Sequence, residues 1–395
     1  MQRIHNHIIS NMLLIIVLFI KLHGNEIVAE SWNTTEPEIE RFKPWRLYVP
    51  IPVKREVKCD ESITTVSNEK MECTNQIIFE ETFNNLNESI WTREIKIPQE
   101  PDFEFCVYRN DGNDDGIVTV NENSLRITPR ILEEAYGDNS VYIGKMVLAN
   151  CSSNVFEECQ RDATAFHILQ PVISSRLITK NSFNFRYGKI EINAKFPQGD
   201  WIFPEMYLLP RYESKDDKYA FAKVNLGVAR GNERLYNEDN FSEEFGGKLL
   251  EYGIRFGISE KLQHKNVTKF KRNGPWTTDF HKYTTIWSED GFSFFVDSTE
   301  VGFLRFEDFD QFSTRNGRVA PFDQEFYLCI GLGVGGLYIF PDNTTNGKYS
   351  KPWKNVGAKA MLNFWKAKDQ WLPSWKRQSR IETSFKVKSI KIWSV

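Results

Sequence analysis

"YGKIEINAKFPQGDWIFPEMYLLPRY", residues 187–212, is the stretch on which the fold turns. Its first half alternates strictly. Ile190, Ile192, Ala194 and Phe196 fall on one side, Lys189, Glu191, Asn193 and Lys195 on the other. Successive side chains of an extended chain point to opposite faces, so this is a strand with one face buried and one in water. The same signal recurs further out. "GFSFFVDSTEVGFLRF", residues 291–306, reads as a hairpin turning at Asp297–Glu300. "SFKVKSIKIW", residues 384–393, reads as a closing strand, and its apolar parity shifts between Val387 and Ile390, which marks a bulge. One helix is expected where Ala358, Met361, Leu362 and Trp365 fall at i, i+3, i+4 and i+7. Many short strands separated by Gly, Asn and Pro turns favour an all-β sandwich over a doubly wound sheet.

Composition bounds the rest. The chain has 395 residues, 41% hydrophobic and 14% aromatic, enough for a large core with aromatics left for a groove. The 53 acidic and 50 basic residues are dispersed, and neither a basic block for nucleic acid nor an acidic tail is present. The apolar run "MLLIIVLFI", residues 12–20, follows Arg3 and two histidines. It is too short to cross a bilayer and suits a secretory signal over 1–24, with 25–56 as a polar, Pro-containing arm and 57–395 as the β domain. Six Asn-x-Ser/Thr sites agree with secretion: Asn33, Asn87, Asn150, Asn240, Asn266 and Asn343. Six cysteines fit an oxidising compartment; Cys59 with Cys73 and Cys151 with Cys159 are the preferred local pairs, leaving Cys106 and Cys329 to bridge or stay reduced. No Cys-x-x-Cys occurs and only His167, His264 and His281 follow the signal segment, so no metal and no cofactor are expected.

"GLGVGG", with Gly331, Gly333 and Gly336, satisfies a dinucleotide pattern, but Pro341 and a turn-rich run follow where a helix would have to open. Small residues that let a sheet pack closely are the better reading.

"FPQGDWIFPEMYLLPRY" (196–212), then a short loop and "ARGN" (229–232), resembles the core of glycoside hydrolase family 16. With "QEPDFEFCVYRNDGND", "APFDQEFYL", "NFWKAKDQWLPSW" and the closing "IKIWSV", the chain from about residue 57 onward resembles the arthropod β-1,3-glucan recognition proteins, or Gram-negative-bacteria-binding proteins. The resemblance implies a jelly-roll sandwich. In active members of the hydrolase family one strand carries Glu-x-Asp-x-x-Glu, the first Glu a nucleophile and the last a general acid/base. A retaining glycosidase needs two carboxyls about 5–5.5 Å apart. Alternate strand residues share a face, and a bulge returns the last Glu to it. Counting back from "ARGN" places Lys223, Asn225 and Val228 at these three positions. An ammonium cannot form the glycosyl ester and valine has no proton to give, so catalysis is expected to be lost.

Sugars are held by aromatic faces and hydroxyl hydrogen bonds. The resemblance assigns the cleft Trp201, Phe203, Tyr207, Arg211, Arg230 and Asn232, with Trp276 and His281 as further candidates; for Trp201, core and cleft are both open. Trp287, Trp365 and Trp393 read as core. Phe203 and Tyr207 stand where the family has tryptophans, and Gly331 where it has Asn. Glu205, where the family has a small residue, is expected to pair with Lys223, and Glu191 and Glu251 to lie on the surface. The implied function is a secreted, non-catalytic recognition protein of innate immunity that binds β-1,3-glucan or a related microbial polysaccharide and signals to serine proteases. The alternatives are a protein-interaction scaffold without sugar binding and a divergent endo-β-1,3-glucanase.

Overall fold

The computed structural model describes residues 59–109, 116–212, 221–258, 261–309, 320–377 and 381–395, and the backbone alone of 22–23, 26–27, 314–315 and 318–319. The expected signal segment and arm, with Asn33, lie outside the described residues apart from the strand pair Leu22–His23 and Glu26–Ile27. A separate compact unit runs from Cys59 to Val395.

In chain order its principal strands are β1 (Ile77–Glu81), β2 (Val118–Asn121), β3 (Ser124–Ile127), β4 (Arg176–Ile178), β5 (Gly188–Lys195), β6 (Ile202–Pro210) and β7 (Phe221–Val228). They continue as β8 (Leu249–Gly257), β9 (Gln263–Phe270), β10 (His281–Ser288), β11 (Gly291–Val296), β12 (Thr299–Arg305), β13 (Phe326–Val334) and β14 (Phe385–Trp393). One sheet has the order β9-β8-β7-β6-β13, with β4 and short edge pieces beyond β13. The other runs β12-β11-β10-β5-β14-β3-β2, with β1 also on β14. Inward rings interdigitate between the sheets. Trp287 of β10 makes edge contacts with Phe185 and Phe326, and Tyr252 of β8 lies 5.1 Å from Phe294 of β11. This is a jelly-roll β-sandwich.

β5 buries and exposes alternate residues as its sequence requires. The β11–β12 hairpin turns at Asp297 and Ser298, both with positive φ. The expected bulge in β14 is present: Asn193 opposes Ser389 while Ala194 opposes Val387, leaving Lys388 extra. The helix begins later than its apolar spacing suggests. It spans Ala360–Lys366 (α1) and leaves Ala358 exposed, and a second helix, Lys368–Arg377 (α2), follows it. Trp287 and Trp365 are buried, while Trp393 is half-buried. The "GLGVGG" segment continues β13 rather than opening a helix. Disulfides join Cys59 to Cys73 and Cys151 to Cys159; Cys106 and Cys329 are free and buried.

Candidate functional site

The outer face of the first sheet is organised in cross-strand rows. Tyr207 of β6 opposes Asn225 of β7, Asn225 opposes Gly253 of β8, and Gly253 opposes Asn266 of β9. One row along, Lys223 opposes Arg255 and Arg255 opposes His264. Then the register shifts, so that Val228 rather than residue 227 opposes Glu251. The shift is a bulge at Gly227, whose φ is +129°. Parity alone would turn Val228 inward; the bulge brings it onto the face of Lys223 and Asn225.

Above these rows lies a cavity of about 280 Å³, lined by Lys223, Asn225 and Val228 together. Its walls add Phe203 and Tyr207 from β6, Glu251 and Arg255 from β8, His264 and Asn266 from β9, Arg230, Tyr338, and Asp102 and Glu104 from an N-terminal segment. The glycines on its sheet are space for side chains: a Cβ on Gly253 would stand 2.3 Å from the Asn266 Oδ1.

Its charges are largely matched to one another. The Lys223 ammonium donates to Asp102 Oδ2 at 2.6 Å and sits 4.2 Å from the Tyr207 ring centre. Asp102 also receives Arg255, whose guanidinium carbon lies 3.6 Å from the Tyr338 ring centre. Arg255 Nε is buried and has no acceptor among the described residues, a donor left over in the cleft wall. Arg230 pairs with Glu251 at 2.8 Å and donates to the carbonyls of Ile339 and Phe245. Asn225 donates to the Glu251 carbonyl and accepts the Gly227 amide, so it holds the bulge.

Three carboxylates therefore border the cavity that sequence reasoning did not assign: Asp102, Glu104 and Glu251. Burial raises the Asp102 carboxyl, but Lys223 and Arg255 outweigh it and hold the group at about 2. Burial lifts Glu104 to about 7; Arg176 opposes this, and Asp102 and Glu205 reinforce it. The signal for Asp102 and Glu104 lay in "QEPDFEFCVYRNDGND", which carries them but gives no spacing that ties them to β7.

Several expectations are corrected here. Glu205 pairs not with Lys223 but with Arg176, which also meets Glu94 and Glu104, while the Tyr108 hydroxyl donates to Glu205 at 3.1 Å. It is Asp102 that neutralises Lys223. Glu251 is a wall of the cavity, not a free surface group. Of the eight expected sugar contacts, Phe203, Tyr207 and Arg230 line the cavity. Trp201 is 3% exposed and packs edge-on against Phe340 and Trp353 beneath the sheet end. Asn232 is fully buried, accepting the Trp201 amide and donating to Asp200, so it ties a loop. Arg211 pairs with Glu325 beyond the end of β6. Trp276 donates to the Lys248 carbonyl, and His281 on the second sheet is bound to Asp297 and Lys271. Both stand off the cavity.

No protein-family model matches the chain. Individual relatives do. A β-1,3-glucan-binding protein of Penaeus monodon is 31% identical over 342 residues, 81% of this chain and 90% of that one. β-1,3-glucan-binding protein 1 of Galleria mellonella is 34% identical over 355 residues, 85% and 67% of the two chains. The chain belongs to the β-1,3-glucan-binding protein family. The Gram-negative bacteria-binding protein 1 of Drosophila melanogaster is a further relative, 34% identical over 322 residues, 77% of this chain and 63% of that protein. Matches to most of these family members span about two thirds of their length. Among solved structures, the laminarinase catalytic domain of Thermotoga maritima superposes with a TM-score of 0.51 at 17% identity, covering 82% of this chain and 99% of that one. The laminarinase of Rhodothermus marinus gives 0.51 at 14%, covering 81% and 98%. At such identities the likeness is one of fold. This member of the glucan-binding family thus has the sandwich of a laminarinase, and over β7 a cavity whose floor is Lys223, Asn225 and Val228.

Proposed function

We propose that this chain is a secreted, non-catalytic recognition protein that holds β-1,3-glucan or a related microbial polysaccharide in the cavity over β7. One observation carries the reading. The bulged strand keeps the register that would aim three catalytic side chains into the cleft, and it aims Lys223, Asn225 and Val228 there instead. On this reading a hydrolase-like strand is kept, while Lys223, Asn225 and Val228 offer neither an attacking carboxylate nor a carboxylic acid at these positions. The three carboxylates that border the cavity are each paired with a cation, Asp102 with Lys223, Glu104 with Arg176 and Glu251 with Arg230, which argues against any of them as a substitute nucleophile. Phe203, Tyr207 and Tyr338 supply apolar faces, and Asn225 and His264 supply hydroxyl partners.

Export by the segment 1–24, an arm over 25–56 and a sandwich from residue 57 belong to the same proposal. So does signalling to serine proteases. Among the described residues no helix is long and apolar enough to cross a membrane.

The test is retention of the pure protein on immobilised laminarin, with a reducing-sugar assay on the same sample. Retention that Tyr338→Ala and Asn225→Ala weaken, without turnover, supports the proposal. Robust release of reducing ends, or no retention at all, overturns it.

A second reading has one observation in its favour. Large apolar side chains are exposed on the disulfide-closed hairpin and its flanks, among them Ile143, Val147, Val155 and Phe156. Such a patch suits a protein partner. A chain that fails on laminarin but keeps a partner through this hairpin would be an interaction scaffold.

A further inference from the structure

Among the described acceptor sites one differs from the rest. Asn87, Asn150, Asn240 and Asn343 are exposed and lie in turns or loops. Three of them use their side-chain oxygen to hold the local backbone or a neighbouring lysine: Asn87 for Ser89, Asn240 for Ser242, Asn343 for Lys354. Asn266 is instead in the middle of β9, the edge strand beside the cavity, and it lines that cavity. Its amide leans over Gly253, whose missing side chain leaves the space. Asn266 is exposed, and Thr268, the hydroxyl residue of its acceptor triplet, is exposed on the same strand face. A glycan is polar and bulky and must leave from a surface position, which Asn266 provides.

We propose that Asn266 carries an N-linked glycan that roofs the cavity, and that its occupancy sets how much external polysaccharide the cleft can hold. The effect on polysaccharide rests on the function proposed above; the roof does not. The tethered sugar is chemically akin to the ligand class proposed for the site. Being attached, it is present at an effective concentration that a free glycan must exceed. The first sugar unit would stand beside His264, two residues away on the same face and exposed.

The experiment uses the full chain secreted from a eukaryotic host. Peptide mass spectrometry reads occupancy at Asn266. Asn266→Gln and Thr268→Ala each remove the site by a different change, and enzymatic deglycosylation of the native protein removes the sugar with only an Asn→Asp change at the attachment site. Asn87→Gln is the control at a distant turn. Diethyl pyrocarbonate labelling of His264, referred to His167, reads access to the cavity without any ligand. The expected result is an occupied Asn266, with His264 labelling and laminarin retention both rising several-fold in the two variants and the deglycosylated protein, but not in Asn87→Gln. An unoccupied Asn266, or His264 labelling that does not change, overturns the proposal. If labelling rises and no form retains laminarin, the roof stands and the glucan reading falls.

Discussion

Asp102 and Glu104 stand two residues apart and titrate in opposite directions, because each faces a different balance of charge. Asp102 meets two cations, and its carboxyl is depressed from 3.8 to about 2. A depressed acid stabilises the fold above its unfolded value and loses that contribution as pH falls through the folded one. Stability should therefore drop by about 2 kcal/mol between pH 4 and pH 2, and Asp102→Asn should flatten that slope. Glu104 shares Arg176 with Glu94 and Glu205, and burial raises it from 4.5 to about 7. The sign reverses: its contribution is complete below pH 4.5 and is lost as pH rises towards 7. Denaturant midpoints should decline over that window in the wild type and not in Glu104→Gln; an unchanged slope in the variant would show that another group titrates there. A second residue-scale prediction concerns Gly331, which lies between Glu205 and Arg176 in the sheet. A Cβ there would stand 2.5 Å from Glu205 Oε2, and that carboxylate is clamped by Arg176 and Tyr108. Gly331→Ala should cost about 1–3 kcal/mol. In a Glu205→Ala background the steric part should vanish, so the double-mutant cycle should be strongly non-additive. The sequence showed the unusual Glu205 and Gly331 separately; their contact is cross-strand and left no mark in either local pattern.

At the scale of elements, the bulge in β7 decides which side chains reach the cavity. Gly227 at φ +129° has Met206, Tyr252 and Tyr283 at 3.3 Å from any added Cβ. Gly227→Ala should destabilise by about 1–3 kcal/mol, measured by chemical denaturation, because an L side chain is strained there. The bulge also frames the triple restoration Lys223→Glu, Asn225→Asp, Val228→Glu. A glutamate at 223 would meet Asp102 rather than a sugar, and one at 228 would stand opposite Glu251. The expected result is a less stable protein with at most weak laminarin hydrolysis; brisk turnover would show that the rest of the cleft is still a working glucanase. Strands such as β5 and β14 were legible because period-two alternation records one buried face. α2 was not, since Pro373 interrupts it and reads as a breaker. The short sheet of Arg130–Ile131, Val172–Ser174 and Cys106–Tyr108, which brings Tyr108 to Glu205, is nearly all buried and so has no alternation to read.

For the whole molecule, the question is whether this sandwich unfolds as one unit, and the two free thiols can report it. Cys106 belongs to the short three-stranded sheet, and Cys329 is at the centre of β13 in the first large sheet. Both are fully buried, and burial raises both thiols above their ordinary value. A buried neutral thiol is a poor nucleophile with no access for a reagent. The disulfides should add their part by limiting the unfolded chain. With their cysteines 14 and 8 positions apart in sequence, Cys59–Cys73 and Cys151–Cys159 are expected to contribute about 2–3 kcal/mol each. Thiol titration should find no reactive group in the native protein. Two should appear through the denaturant transition, at the midpoint given by the far-ultraviolet signal, because one continuous core joins the sheets that hold them. If Cys106 reacts well before Cys329, the short sheet and the Asp102 segment open independently of the sandwich. Lys223 would then lose its carboxylate partner in a state that is still folded, and the cavity would have an open form.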